Sequence, residues 1–340
     1  MTRRRLNSTV QFACFVALSV SIAASATAQK PDKNKKKERA AALPAVIWRD
    51  PGDAASLNLL YGAGGQEHAP HPQGTFTFKR EDLAQTSPKF DVEDDQRVQW
   101  RVKLGAEPQS ETAATRLLWA AGYFVDEDYY VAELNVDKLP TLKRGQEFVS
   151  AHGVVHNARL ERRTKARKKL GTWDWFDNPF LGTRELSGLR VMMSLLNNWD
   201  LSTLNNSIYE VNGERQYAVS DAGATFGNTG NNFTRSKSVP KDYEASTFVE
   251  KAALDFVDFV LHSRPFLLGA VDVNNYRDRT RMEQVTKHIP RADAVWLGQR
   301  LSKLSEEQIR DAFRAAGYAP AEIEMLTRTV RKRIAELATL

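Results

Sequence analysis

Asp200, Asn205, Asn206 and Asp221 stand at the ends of two short strand-like runs, SIYEV and QYAVS. A carboxylate and an amide carbonyl that converge from adjacent strand ends make a hard oxygen site suited to Mg²⁺. A further carboxylate beside them, Asp200, could accept a proton from an incoming hydroxyl. Upstream, Lys103 falls in an alternating strand-like run and Glu111 lies early in the helical pattern that follows. A carboxylate that fixes a long flexible cation lets it grip phosphate oxygens. The plainer reading of the same residues is local: Asp200 and Asn205 turn the loop after a helix, and Lys103 is a solvated strand residue.

The elements that must position these residues can be read from periodicity. Residues 44–163 are mostly strand-like, with GTFTFK, RVQWRVKL, DYYVAEL and GVVHNARLERR as the strand candidates. In RVQWRVKL, Val98, Trp100, Val102 and Leu104 face one way, and Gln99, Arg101 and Lys103 face the other. ETAATRLLWAAG reads as a helix stopping at Gly122. Thr183 caps a helix in which Leu186, Leu189, Met193 and Leu196 recur at helical spacing, and this helix delivers the chain to Asp200. Asn212-Gly213 between SIYEV and QYAVS signals a tight hairpin. A Gly/Asn/Ser/Thr-rich segment, 224–241, follows. YEASTFVEKAALDFVDFVLHS reads as one amphipathic helix, Ser305 to Gln308 as a capping box, and Pro320 as the first turn of a last helix reaching about Leu337. The whole is α+β, a strand-rich lobe followed by a helical one.

The ends and the charge bound the rest. Arg3, Arg4 and Arg5, the apolar FACFVALSVSIAASA and the small-residue ATA read as a signal peptide over residues 1–28. Residues 29–43 read as a Lys-rich linker, 44–165 as the strand-rich lobe and 166–340 as the helical lobe. The expected location is periplasmic or extracellular, with no transmembrane segment after cleavage. Cys14, the single cysteine, falls inside the signal, so the mature chain is expected to carry no disulfide and no cysteine metal site. The chain has 48 basic and 42 acidic residues. Without the three signal arginines and the charges of QKPDKNKKKERA, 39 basic residues face 40 acidic ones. That balance excludes a global nucleic-acid footprint. His68 with His71, and His152 with His156, supply too few ligands for a metal site. Trp173 and Trp175 read as packing aromatics.

The order Lys103 on a strand, Glu111 on a helix, D-x-x-x-x-N at Asp200 and Asn205, a hairpin, and D-x-G at Asp221 to Gly223 resembles the protein-kinase-like superfamily. It is most similar to the atypical branches: HipA-type, phosphoinositide and secreted or spore-coat kinases. The resemblance implies a two-lobed kinase-like fold that binds ATP or another nucleotide with Mg²⁺ or Mn²⁺. By it, Lys103 and Glu111 form the ion pair on the nucleotide phosphates, Asp200 is the catalytic base, and Asn205 and Asp221 are metal ligands. Counting from Asp200 selects Asn205, whereas adjacency to the strand selects Asn206. The chain departs from the pattern in places. No G-x-G-x-x-G precedes Lys103, YGAGGQE lies far upstream, Asn198-Trp199 replaces His-Arg, and Arg101 stands where a small residue leaves room for adenine. The function this implies is an exported phosphotransferase acting on a protein, sugar or lipid hydroxyl. The alternatives are a non-catalytic binding module of the same fold in the cell envelope, and an unrelated fold whose polar loops are only structural.

Overall fold

Alternation of apolar and charged residues over 76–163 becomes a small closed barrel. The computed structural model describes residues 41–71, 74–84, 86–229, 235–261 and 272–340. The signal-peptide reading and nearly all of the Lys-rich linker therefore lie outside the described residues. Residues 42–340 form one compact unit. No described helix is long and apolar enough to cross a membrane.

After a two-residue strand β1 (Ala45–Val46) come β2 (Phe76–Asp82), β3 (Lys89–Asp94) and β4 (Gln99–Lys103), helix α1 (Pro108–Ala120), and β5 (Phe124–Val125), β6 (Asp128–Asp137) and β7 (Val154–Arg163). β2, β3, β4, β7 and β6 are joined in that order, and a parallel β2–β6 pair closes the barrel. Phe90, Val92, Trp100, Val102, Val155 and Leu160 fill it. β4 runs antiparallel to β7 with Lys103 opposite Arg159 and Arg101 opposite Glu161. Because side chains alternate along a strand, this register lines up charged residues on the face away from Trp100 and Val102.

A second core lies under α1 and the C-terminal helices. β8 (Lys168–Gly171), helix α2 (Arg184–Leu195), β9 (Asn206–Val211) and β10 (Glu214–Val219) come next. β9 and β10 form the expected hairpin, with Asn212 at φ 50° and Gly213 at φ 81°, the left-handed pair that a tight two-residue turn requires. β1 and β5 both pair parallel with β10. Thr183 caps α2 by accepting a bond from the Leu186 amide, as its type and position implied.

The remaining elements are α3 (Pro240–Ala245), β11 (Val249–Ala252), β12 (Phe256–Phe259), α4 (Val273–Gln284), β13 (Ile289–Pro290), α5 (Arg291–Leu301), α6 (Glu306–Ala315) and α7 (Pro320–Ala338). One expectation fails here. YEASTFVEKAALDFVDFVLHS, as far as its described residues to Leu261, is not one helix: after α3 it forms the β11–β12 hairpin, extended by β13. Val257 and Phe259 are buried on alternate positions, whereas Leu254 at the turn is exposed. Period-2 burial of β-branched and aromatic residues outweighs the helix propensity of the alanines. The capping box at Ser305 and the Pro320 start of the last helix are as expected.

α7 anchors the approach to the site. Its buried Arg333 donates to the Leu195 carbonyl at the end of α2 (2.9 Å) and to Asn197 Oδ1 (2.8 Å), and lies over the Tyr243 ring. A cation suits the negative end of a helix dipole. Asn197 turns the chain with φ 55°, and Asn198 Oδ1 then accepts from the Asp200 amide at 3.1 Å. The α+β class, a strand-rich first half followed by a helical second half, is borne out.

Candidate functional site

Lys103 leaves the end of β4 on the charged face and is only 3% exposed. It is not the solvated residue of the plainer reading. Its ammonium lies 3.0 Å from Glu111, 2.9 Å from Asp221 and 2.5 Å from Glu107. An ammonium has three donors, and three carboxylates meet it. Burial alone would lower Lys103, but Glu111, Asp221 and Glu107 outweigh it and hold the ammonium well above the usual lysine range.

The three carboxylates come from two elements. Pro108 starts α1, which leaves Glu107 as the residue before the helix and Glu111 in its first turn. Asp221 follows β10, and its Oδ1 accepts from the Gly223 amide. Gly223 permits α1 to come this close, since a Cβ there would lie 2.8 Å from Glu107 Cβ. Ser110 Oγ donates to the Gly223 carbonyl at 2.7 Å and fastens the contact.

Asp200 and Asn205 join the same corner. The Asn205 carbonyl accepts from the Ser220 and Asp221 amides, and its Nδ2 donates to the Asp200 carbonyl at 2.8 Å. Asn206 is buried and donates to the Trp173 carbonyl. Of the two amides weighed from the sequence, Asn205 is the one that lines the cleft. Burial raises Asp200 above the usual aspartate range, with the Asn205 side chain opposing. Lys103, Glu107, Asp200, Asn205 and Asp221 line a single cleft of about 390 Å³, and Glu111 stands behind Lys103. A metal ion would find carboxylate and amide oxygens at Asp221 and Asn205, a donor set that fits Mg²⁺. The far end of the cleft is charged: Arg101 lines it, tied to Asp82 at 3.1 Å and Asp91 at 2.9 Å.

Several residues here escaped sequence reasoning. Glu107 is one, and the signal was two glutamates four apart flanking a proline at the start of a helix. Arg159 and Glu161 are others. Arg159 lies 3.3 Å from Glu111 and 2.6 Å from Asp128. Their alternation with Ala158 and Leu160 marked a charged strand face, but only the β4–β7 register sets Arg159 beside Lys103. Lys237 is the last, reaching Glu107 at 2.5 Å from the segment after Asp221. The described arms of that segment are pinned to each other by the Asn228–Ser236 pair and to Trp199, whose Nε1 donates to Ser236. Residues 230–234 lie outside the described residues. Trp173 and Trp175 pack edge-on in the core, as expected.

The cage makes a pH prediction. Complete burial pushes the Glu111 carboxyl up to about 8, against the pull of Arg159 and Lys103. A carboxyl raised above its unfolded value, roughly 4.3, stabilises the fold least when both states are ionised. Its contribution is therefore lost as pH rises from the ordinary glutamate range to about 8. Glu111→Gln, which mimics the protonated form, is expected to flatten this fall, so that the variant melts above wild type at pH 8 and close to it at pH 5. Melting curves of both proteins across that range test it, and an equal loss at every pH would refute the raised carboxyl.

No family model matches the chain, and no curated protein matches it in sequence. Two solved kinase structures are similar to it in overall path. The Helicobacter pylori proinflammatory kinase CtkA is 12% identical, with 78% of this chain and 96% of that one covered and a TM-score of 0.43. The Golgi casein kinase is 10% identical, with 78% and 72% covered and a TM-score of 0.41. The order of elements read from the sequence is present: a strand with its lysine, a helix with its glutamate, then a hairpin entered and left through polar turns.

Proposed function

We propose that the cleft binds a nucleotide with Mg²⁺ or Mn²⁺ and that the chain transfers a phosphoryl group to a hydroxyl on a protein, sugar or lipid. The observation that carries this reading is the meeting of Lys103 with Glu111 and Asp221, at 3.0 and 2.9 Å, in a cleft that also takes in Asp200 and Asn205. Phosphoryl transfer asks mostly for positioning and charge neutralisation. Asp221 and Asn205 would hold the metal, which supplies charge neutralisation when bound. Lys103, held by Glu111, would exchange one carboxylate for a phosphate oxygen. Asp200 would take the proton of the acceptor hydroxyl as that oxygen bonds to the terminal phosphorus, while the bond from that phosphorus to the bridging oxygen breaks and its electron pair leaves with the nucleoside diphosphate. The Arg3–Arg5 and apolar N-terminal pattern supports export as part of the same proposal.

The test is thermal melting with Mg²⁺ plus ATP, beside Asp221→Ala. A ligand at 100-fold excess over its Kd stabilises the folded state by about 2.7 kcal/mol. A metal-dependent rise is expected in the wild type and its loss in the variant. No rise with any nucleotide would sink the reading. A second reading, a binding module without turnover, is favoured by one observation: each donor of Lys103 already faces a carboxylate. A nucleotide-dependent rise with no phosphotransfer to any acceptor would select it.

A further inference from the structure

A second cavity, of about 770 Å³, shares no lining residue with the cleft. One side of its lining is aromatic and apolar, with Val98, Trp100, Tyr129 and Tyr130, the rim carries polar side chains such as Glu67, Glu133 and Arg162, and Arg116 lines it from α1. Arg116 is 2% exposed. Its Nε has no hydrogen-bond partner, and no ion pair among the described residues involves it. What it touches is the face of the Tyr129 ring, 5.3 Å away. A buried cation is costly unless a counter-charge meets it. Burial pushes the guanidinium down to about 10, with Asp128 and Tyr129 opposing at a distance. Asp128 is itself engaged by Arg159 at 2.6 Å.

The glycine-rich YGAGGQE stretch, which did not serve as a phosphate loop for the cleft, is built around this arginine. Gly62 has φ 70°, and a Cβ there would lie 2.5 Å from Arg116 Cδ. A Cβ on Gly64 would collide with the Tyr129 hydroxyl, which donates to the Gly65 carbonyl at 3.0 Å. Two of the nearby polar groups, Asp94 and His68, are already committed. Asp94 accepts from the Gln96 and Val98 amides and from Trp100 Nε1, and His68 pairs with Glu127 at 3.0 Å. Glu67 and Glu133 are exposed. A lone buried guanidinium thus faces a roomy aromatic cavity, the arrangement of an organic-anion site.

We propose that this cavity is a second ligand site, taking a small molecule whose single carboxylate or phosphate meets Arg116 and whose aromatic or apolar body lies against Trp100 and Tyr129. The site is independent of the nucleotide reading. Calorimetric titration of the mature chain with phenylacetate, phenyl phosphate and the neutral benzyl alcohol tests it. One anion is expected to bind saturably at one site, which also tells carboxylate from phosphate. Its affinity is expected to fall at least tenfold in Arg116→Met and to vanish in Ala132→Trp, which fills the cavity's exposed edge without touching the cation. Arg116→Met is expected to melt no lower than the wild type without ligand, since it removes an uncompensated charge. Binding is expected to survive Asp221→Ala, a change confined to the cleft. Failure of both anions to bind, binding indifferent to Arg116→Met and Ala132→Trp, or loss with Asp221→Ala instead would overturn the proposal.

Discussion

Lys103→Met is expected to lower the melting temperature by roughly 10 °C at neutral pH, the counterpart of about 3–5 kcal/mol for breaking a buried ionic cluster by removing one partner. Lys103 is the cation shared by Glu107, Glu111 and Asp221, all within 3.0 Å of its ammonium. Without it, the Glu107 and Asp221 carboxylates lose the ammonium they share, beside the protonatable Glu111 with Arg159 as its remaining cation. Lys103→Arg is not expected to rescue the loss, because a planar fork cannot replace a point charge met from three directions. The deficit should depend on pH with a definite sign. Burial works to raise Glu107, but Lys103 and Lys237 overcome it and hold the carboxyl down to about 2. A carboxylate depressed in this way contributes stability above its unfolded value, roughly 4.3, and that contribution is lost as pH falls toward about 2. The gap between wild type and Lys103→Met is therefore widest near pH 7 and closes on acidification. Melting curves from pH 7 to pH 3 decide the matter, and a variant as stable as wild type would show that water, rather than Lys103, compensates the carboxylates.

The second large effect concerns turnover. On the proposed phosphotransfer, Asp200→Asn is expected to lower kcat by about 10²–10⁴-fold, the usual worth of a positioned general base, while the nucleotide-dependent rise in melting temperature stays. Asp200 lines the cleft, and its amide is held by Asn198. Asparagine keeps the shape of the side chain and lacks the capacity to take a proton. Because burial raises Asp200, the acid limb of the rate profile should lie above the ordinary aspartate range. The acceptor is sought with protein, sugar and lipid hydroxyls. An Asp200→Asn protein that turns over at the wild-type rate would remove Asp200 from the chemistry. Loss of nucleotide binding in this variant would make it a binding residue instead.

The Lys237–Glu107 pair shows how much of the site lies beyond any local pattern. The two residues are 130 apart in the chain, and nothing in their neighbourhoods announces the contact. Arg159 is similar: its strand was legible, its neighbour was not. The described part of the stretch from Tyr243, up to Leu261, shows the opposite failure, a local pattern read with the wrong period. There the alanines suggested a helix, but Val257 and Phe259 are buried on alternate positions of β12.

By itself the sequence determined whatever rests on short-range stereochemistry. The alternation around Trp100 set Lys103 on the face opposite the barrel core. Thr183 and Ser305 capped their helices, Asn212-Gly213 turned its hairpin, and the order of elements from Lys103 to Asp221 was legible in the chain. Tertiary structure alone decided that Lys103 is buried among three carboxyl groups, that Asn205 rather than Asn206 faces the cleft, and that Arg116 forms no ion pair among the described residues. The physical reason is that burial, strand register and the approach of α1 to Gly223 depend on which distant surfaces meet. Charge pairing follows that meeting, since an ion pair is set by distance in space and not by spacing along the chain.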